Sequence, residues 1–321
     1  MLKNLVCFCI FLFSVNLGAQ GWVPEIKHAI DKLIEEHGKT SPNYNPKKPP
    51  VVTLDWDNTM TLNDIGEATF MYLVNNMGFS FNEDFWKLIP EKNLKKDVTA
   101  LKKVSKKNLR SHKMFLNYRK KMLQSYWDLC EKKGDEVCYG WVAQIMTGLT
   151  TPDVKKATEA TLDLELKQPI GKETIQLDEH DPKKLTVNQG IRYYPEMKEL
   201  VLKFQNAGFD VWVVSASTQW IVEVAAKKVG VHANRVLGIL LDVDKKQRLT
   251  SKILRLTYRK GKADAILKDI GKTPVFAAGD SNTDIEMLLL GSGPRLVIDR
   301  GKKPLMDIAK EKAWLIQPKF L

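Results

Sequence analysis

Five short apolar runs punctuate the chain, and most stop abruptly at a polar or acidic residue: VVTLDWD, DVWVVSAS, RVLGILLD, PVFAAGD and PRLVID. Runs of this length, rich in Val, Ile and Leu at successive positions, have the pattern of strands buried on both faces. Between them the hydrophobic period lengthens to that of helices, as in PEMKELVLKFQNAG and TQWIVEVAAKKVG, with Gly208 and Gly230 where each helix should stop. Strand and helix in alternation predict an α/β fold, a doubly wound parallel sheet of Rossmann-like type. Such sheets bind ligands at the carboxyl ends of their strands.

Two departures from that alternation define the organisation. A helix expected over Pro24 to His37 is followed by SPNYNPKKPP, whose prolines and asparagines mark irregular chain before the first strand. Between that strand and the helix starting near Pro195 lie about 130 residues with mainly helical patterns, such as GEATFMYLVNNMG and HKMFLNYRKKMLQSYWDLCEKKG, too long an interruption for a connection. The predicted division is a core domain of residues 20–60 and 192–321 with an inserted helical cap domain of residues 61–191.

Residues 1–19 form a third segment. Lys3 precedes an apolar run from Leu5 to Val15 that ends in the small residues Gly18 and Ala19, the pattern of a signal peptide cleaved near Ala19. The run falls short of the roughly 18 to 20 residues needed to cross a bilayer. Gln20 stands where a lipoprotein would need a cysteine, so no stable membrane anchor is expected and the mature chain is expected to be periplasmic or secreted. Cys7 and Cys9 leave with the signal. Cys130 and Cys138 remain, either as a disulfide closing a short loop, favoured in an oxidising compartment, or as two buried thiols.

Composition changes little in this picture. With 321 residues, 44% hydrophobic and 27% charged, the chain is of ordinary globular type. A formal charge of +12 raises the question of nucleic acid. The lysines, however, are interleaved with acids, and the densest group (Lys102, Lys103, Lys106, Lys107 and Arg110) falls at helical spacing, as on a solvated helix face. No zinc-ligand, RNA-binding or helix-turn-helix pattern accompanies the charge, and no nucleic-acid partner is expected.

The strand tips carry the candidate chemistry. Transfer of a phosphoryl group to a carboxylate needs an in-line nucleophile, a cation to shield two anions from each other, and a proton donor for the leaving alkoxide. Asp55 and Asp57 alternate at the first tip and should face one side, with Asn58 and Thr59 in the turn beyond. Ser215 closes VWVV, where a hydroxyl can hold phosphoryl oxygens or cap the next helix, a role open also to Ser217 and Thr218. In RKGKADAIL, Lys262 is the candidate cation, with Lys260 as a rival two residues away. Asp280 and Asp284 in GDSNTD can approach one oxygen-seeking cation, or simply start a helix.

These four elements, in this order and at these tips, resemble the haloacid dehalogenase superfamily of phosphatases, and the insertion after the first motif resembles the cap of its phosphoserine-phosphatase-like and phosphorylcholine-phosphatase-like members. The DWDNT run with Asp64 and Glu67 beyond it, CYGWVAQIMTG in the cap and VVSAS before GDSNTD carry the likeness to the exported phosphorylcholine phosphatases of bacteria. No Glu-Glu-Asp run like theirs stands in the cap, where LKKDVTALKK occupies the comparable stretch.

The resemblance implies Asp55 as nucleophile and Asp57 as acid, then base. It implies phosphate contacts from Thr59, Ser215, Lys262 and Asn282, and Mg²⁺ held by the carboxylates of Asp55 and Asp280 and the carbonyl of Asp57, with Asp284 acting directly or through water. The expected activity is hydrolysis of a small phosphomonoester, with phosphocholine, phosphoethanolamine or phosphoserine as candidates. Asp64 and Glu67 are candidates for an amine head group or else a solvated helix start. Trp86, Trp127, Tyr139 and Trp141 are candidates for an aromatic wall or for cap packing. A non-catalytic binding protein on the same fold and a phosphotransferase are the alternatives. The catalytic set is complete, which argues against the former.

Overall fold

The computed structural model describes residues 21–320 except Lys92 and Glu179. The signal-peptide expectation for residues 1–19, with Cys7 and Cys9, lies outside the described residues.

Helix α1 (Pro24–His37) starts at a proline, whose missing N–H costs nothing in a first helical turn, and buries Ile26, Ile30 and Leu33 at i, i+4 and i+7. The chain then enters β1 (Val51–Leu54), all four residues of which are buried. The insertion follows: β2 (Thr61–Leu62), α2 (Ile65–Asn75), α3 (Glu83–Leu88), α4 (Leu94–Leu101), α5 (Lys106–Leu109), α6 (Lys113–Lys133), α7 (Asp135–Gln144), α8 (Thr151–Glu165), the hairpin β3 (Gly171–Ile175) and β4 (Leu185–Gln189), and β5 (Arg192–Tyr193), which pairs back onto β2. Alternation resumes with α9 (Pro195–Asn206), β6 (Asp210–Thr218), α10 (Gln219–Lys227), β7 (Val236–Val243) and β8 (Leu249–Arg255). It closes with α11 (Lys260–Ala265), β9 (Phe276–Gly279), α12 (Ile285–Leu290), β10 (Arg295–Asp299), α13 (Lys303–Glu311) and β11 (Leu315–Pro318).

Seven strands form one sheet in the order β11-β10-β9-β1-β6-β7-β8. All neighbours pair in parallel except β7 and β8, which are antiparallel. This is the expected doubly wound α/β sheet with one antiparallel edge strand added. The strand order reverses direction around β1, between β6 and β9, so the carboxyl end of β1 opens at the topological switch point where α/β sheets bind ligands. The glycines expected to end α9 and α10 do so with left-handed φ of +88° at Gly208 and +83° at Gly230, conformations that a Cβ would strain.

The insertion is mainly helical, with a small hairpin that the helical patterning did not predict. Trp86 stacks on Phe81, and Trp141 donates its indole N–H to the carbonyl of Leu88 at 2.8 Å, so these two tryptophans pack the insertion's own core. No helix among the described residues is long and apolar enough to cross a membrane. Cys130 and Cys138 are joined in a disulfide between the end of α6 and the start of α7.

Candidate active site

The tips of β1, β6 and β9 and the start of α11 converge on one buried cluster. Asp55 follows β1 directly, and its N–H donates to the carbonyl of Ala278 on β9 at 2.9 Å, so sheet pairing fixes the backbone of the acid itself. Lys262, fully buried, donates from Nζ to Asp55 Oδ1 at 2.5 Å and to Asp284 Oδ1 at 2.6 Å. Thr59 Oγ1 lies 3.0 Å from Asp55 Oδ2 and 2.8 Å from Asp280 Oδ1, bridging two carboxylates with a single proton. Arg300, just past β10, donates to the other oxygen of Asp280 at 2.7 Å.

The turns that build this cluster need particular residues. Asn58 has φ of +63°, a left-handed conformation that Asn adopts more readily than most residues, and its side-chain oxygen accepts the N–H of Asn63 at 3.2 Å. A Cβ at Gly279 would lie 2.6 Å from the Cβ of Asp284, so only glycine lets the acidic loop fold back on β9. In that fold-back Asp284 Oδ2 accepts the N–H groups of Asp280 and Ser281, each at 3.0 Å.

Asp57 faces a different set of partners. Its Oδ1 accepts the N–H of Ile65 at 2.7 Å, while the hydroxyls of Ser217 and Ser215 stand 2.8 and 3.2 Å from Oδ2. Gly66 makes room for this arrangement, since a Cβ there would fall 2.5 Å from the Ser217 hydroxyl.

Electrostatics follow from burying so many acids together. Burial pushes Asp55 well above the usual carboxylate range, the charge of Asp284 adds to the shift, and Lys262 opposes it. Burial also raises Asp57 strongly, helped by the charges of Asp64 and Asp55. Asp280 is pushed up to about 6 by burial and by Asp284, against the pull of Arg300. Burial works against the charge on Lys262, yet Asp284 and Asp55 outweigh it and hold the ammonium firmly protonated. A buried cation touching two carboxylates is thus kept charged where phosphoryl oxygens would have to be received.

A cavity of about 570 Å³ opens above the cluster. Its floor is Asp55, Asp57, Asp280 and the β6 tip from Ala216 to Thr218; its opposite wall comes from the insertion, with Asp64 and Glu67 near or on α2, Tyr126 and Trp127 on α6, and Asp135 and Tyr139 on α7. Asp64 caps α2 by accepting the N–H of Glu67 at 2.8 Å, and burial raises its carboxyl. Glu67 is pushed up to about 8 by burial and by Asp64, against Arg300.

The family model described as haloacid dehalogenase-like hydrolase matches residues 173–289, a span that holds Ser215, Lys262, Asp280 and Asp284. Over that span the chain is similar to the haloacid dehalogenase-like hydrolases. The phosphorylcholine phosphatase of Pseudomonas aeruginosa is 26% identical over 303 residues, covering 82% of this chain and 78% of that one. Among solved structures, a conserved functionally unknown protein from Anaerococcus prevotii superposes with a TM-score of 0.81 at 23% identity, covering 92% of each chain. A protein of unknown function from Bordetella pertussis reaches 0.53 at 12% identity, covering 83% of this chain and 96% of that one. The latter two establish the fold.

Asp57 is placed where it could offer the proton that an alkoxide leaving group needs and a halide does not, chemistry that suits phosphoryl transfer better than dehalogenation. Asp55, Asp280 and Asp284 bring one oxygen each within 4.8 Å of one another, an all-oxygen donor set suited to a hard divalent cation such as Mg²⁺. The side chain of Asp57 stands outside that trio, turned to Ile65 and the serines.

Of the two candidate lysines, Lys262 enters the cluster, while Lys260 pairs with Asp264 in solvent. Ser215 is fully buried, and its hydroxyl is directed at Asp57 and not at the cavity. Asn282 lines the cavity, with its side-chain oxygen accepting the N–H of Leu305 at 3.1 Å. Ser217, Arg300, Tyr126, Asp135 and Tyr258 also border the cavity and were not singled out as site residues from sequence. Arg300 follows the apolar run PRLVID as the other candidates follow theirs, so the same strand-tip pattern could have found it.

Proposed function

We propose that this chain is an exported, Mg²⁺-dependent phosphatase that hydrolyses a small phosphomonoester with a cationic head group through an aspartyl-phosphate on Asp55. The observation that carries the reading is the meeting of Asp55 with Lys262, Thr59 and the Asp280–Asp284 loop, where Asp55 and Asp280 surface at the floor of a cavity large enough for such an ester and Lys262, Thr59 and Asp284 lie buried beneath it.

In the first half-reaction an Asp55 carboxylate oxygen attacks phosphorus and the bond from phosphorus to the ester oxygen breaks. The departing alkoxide takes the proton of Asp57, whose acid form is favoured by burial and by the neighbouring Asp64 and Asp55. The serine hydroxyls around Asp57 can accept as well as donate, so they satisfy it in either protonation state. In the second half-reaction ionised Asp57 takes a proton from water, whose oxygen attacks phosphorus. The acyl-phosphate bond breaks, inorganic phosphate leaves, and Asp55 and Asp57 return to their starting states. Lys262 offsets the charge that accumulates on nucleophile and phosphate together. Asp55, Asp280 and Asp284, with the Asp57 carbonyl, would hold Mg²⁺, which when bound would supply the remaining charge neutralisation.

Glu67 and Asp64, with the faces of Tyr126, Trp127 and Tyr139, give a cationic head group carboxylates and aromatic surface in place of its water. Likeness to a relative named phosphorylcholine phosphatase supports the same substrate class. The N-terminal pattern and the Cys130–Cys138 disulfide support export.

Hydrolysis of p-nitrophenyl phosphate with Mg²⁺ and with EDTA tests the activity: release of nitrophenol in the first and none in the second is expected, and no release in either would overturn it. A panel of phosphocholine, phosphoethanolamine, phosphoserine, glycerol phosphate and nucleotides tests the head group. Equal turnover of phosphocholine and glycerol phosphate would remove that part of the reading.

A further inference from the structure

The head-group wall is carried by two helices meeting at one glycine. Tyr126 and Trp127 sit on α6, Asp135 and Tyr139 on α7, and Gly134 alone separates the helices, ending one and starting the other. Its φ of +89° is a conformation reserved in practice for glycine, and nothing lies within 4 Å of where its Cβ would be. The joint is therefore the most permissive backbone that could have been placed there. The disulfide spans it, linking Cys130 in the last turn of α6 to Cys138 in the first turn of α7 with Cα atoms 5.0 Å apart.

Both helices pack on Phe70 of α2, Tyr126 from α6 and Trp141 from α7, and α7 in addition reaches the core domain. Tyr126 packs at 5.9 Å on Phe70 of α2, the helix that also carries Glu67, while Tyr139 meets Tyr258 at 5.9 Å in the core loop leading to Lys262. The angle between α6 and α7 thus sets how far the aromatic faces stand from the acids and from the phosphate floor. Cys130 itself lines the cavity, one turn from Tyr126, whereas Cys138 is buried.

We propose that the Cys130–Cys138 bridge is a positioning element for substrate selection: it fixes the α6–α7 corner so that Tyr126, Trp127, Asp135 and Tyr139 form one wall against a cationic head group. The inference rests on the head-group reading above and adds that opening the bridge weakens selection without disabling the phosphoryl-transfer floor. No side chain of the floor lies on α6 or α7, so the chemistry has no direct dependence on the corner.

The test compares oxidised protein, protein reduced with dithiothreitol, and the double variant Cys130→Ser/Cys138→Ser. Reduction converts the bridge to two thiols as dithiothreitol closes to its cyclic disulfide, and the thiols released are counted. With the bridge open, KM for phosphocholine should rise about tenfold while kcat for p-nitrophenyl phosphate stays within about twofold, and reoxidation should restore KM. An unchanged KM with both thiols counted free would overturn the proposal. So would parallel loss of both activities on reduction, which would make the bridge a general fold staple; this arm decides the matter if the double variant does not fold. If oxidised protein hydrolyses p-nitrophenyl phosphate yet does not favour phosphocholine over glycerol phosphate, the head-group reading fails first, and the proposal with it.

Discussion

The floor and the wall of the cavity are built on different principles. In and just beneath the floor the charged groups are held by main-chain N–H groups, by hydroxyls and by one another: Asp55 by β9, Asp57 by the Ile65 N–H and two serines, Asp284 by two backbone N–H groups, Lys262 by two carboxylates and Asp280 by Thr59 and Arg300. On the wall, aromatic rings and partly buried acids are held by helix packing, one capping contact at Asp64 and one disulfide. Under the proposed function, such a division would let the chemistry stay fixed while helices of the insertion tune which alcohol the phosphate carries. A ladder of main-chain hydrogen bonds holds acids to the tolerance that in-line attack demands, whereas a cationic head group asks only for surface and negative charge.

The comparison can be broken first at the floor. Asp55→Asn should lower kcat by at least about 10⁴-fold on phosphocholine and on p-nitrophenyl phosphate alike, since both need the nucleophile. Loss confined to one substrate would contradict a common floor. Lys262→Met should cost about 10²- to 10³-fold in kcat on both, the scale of removing one preorganised electrostatic contact. Asp57→Asn separates the substrates: about 10²- to 10⁴-fold loss is expected with phosphocholine, whose alkoxide needs a proton, and a smaller loss of the first step with p-nitrophenyl phosphate, whose phenolate leaves unaided. Burst kinetics with the two substrates would read this difference.

Smaller effects belong to the wall. At a pH above about 8, where Glu67 is ionised, Glu67→Gln should raise KM for phosphocholine about tenfold and leave p-nitrophenyl phosphate nearly unchanged, in line with the worth of a partly desolvated contact to a cation. Because burial and Asp64 push Glu67 up to about 8, it is neutral below that pH and ionised above it. A cation prefers the ionised form, so KM for phosphocholine relative to p-nitrophenyl phosphate should fall as pH rises through about 8. A ratio flat across that range, or rising, would count against Glu67. The Cys130→Ser/Cys138→Ser variant should unfold more easily by about 2 to 3 kcal/mol, the loop-closure value for so short a loop.

The same contrast governs how much was legible in the sequence. Apolar runs ending in Asp55, Ser215 and Asp280 announce their place because period and abrupt polarity both belong to buried parallel strands, and the sheet is observed there. The edge strand β8 was hidden because LTSKILR is half polar and lies at the border of the sheet, where one side needs no partner. The respective places of Ser215 and Ser217 depend on a register shift between Val214 and Thr218, which strand alternation cannot foresee. Tyr126 could not be told from Trp127 or Trp141 as a wall residue, since that depends on the crossing of α2, α6 and α7. A helical period identifies a buried face without naming what lies opposite. The short loop between Cys130 and Cys138 was expected, but its glycine joint and its position beside the cavity were not.

The most direct test of the account is acid quenching during turnover of p-nitrophenyl phosphate with Mg²⁺, followed by mass mapping of the peptides. A phosphate increment is predicted on the peptide that contains Asp55, absent when EDTA replaces Mg²⁺ and absent in Asp55→Asn. Turnover that continues in Asp55→Asn, with no increment on that peptide in the unsubstituted protein, would contradict it.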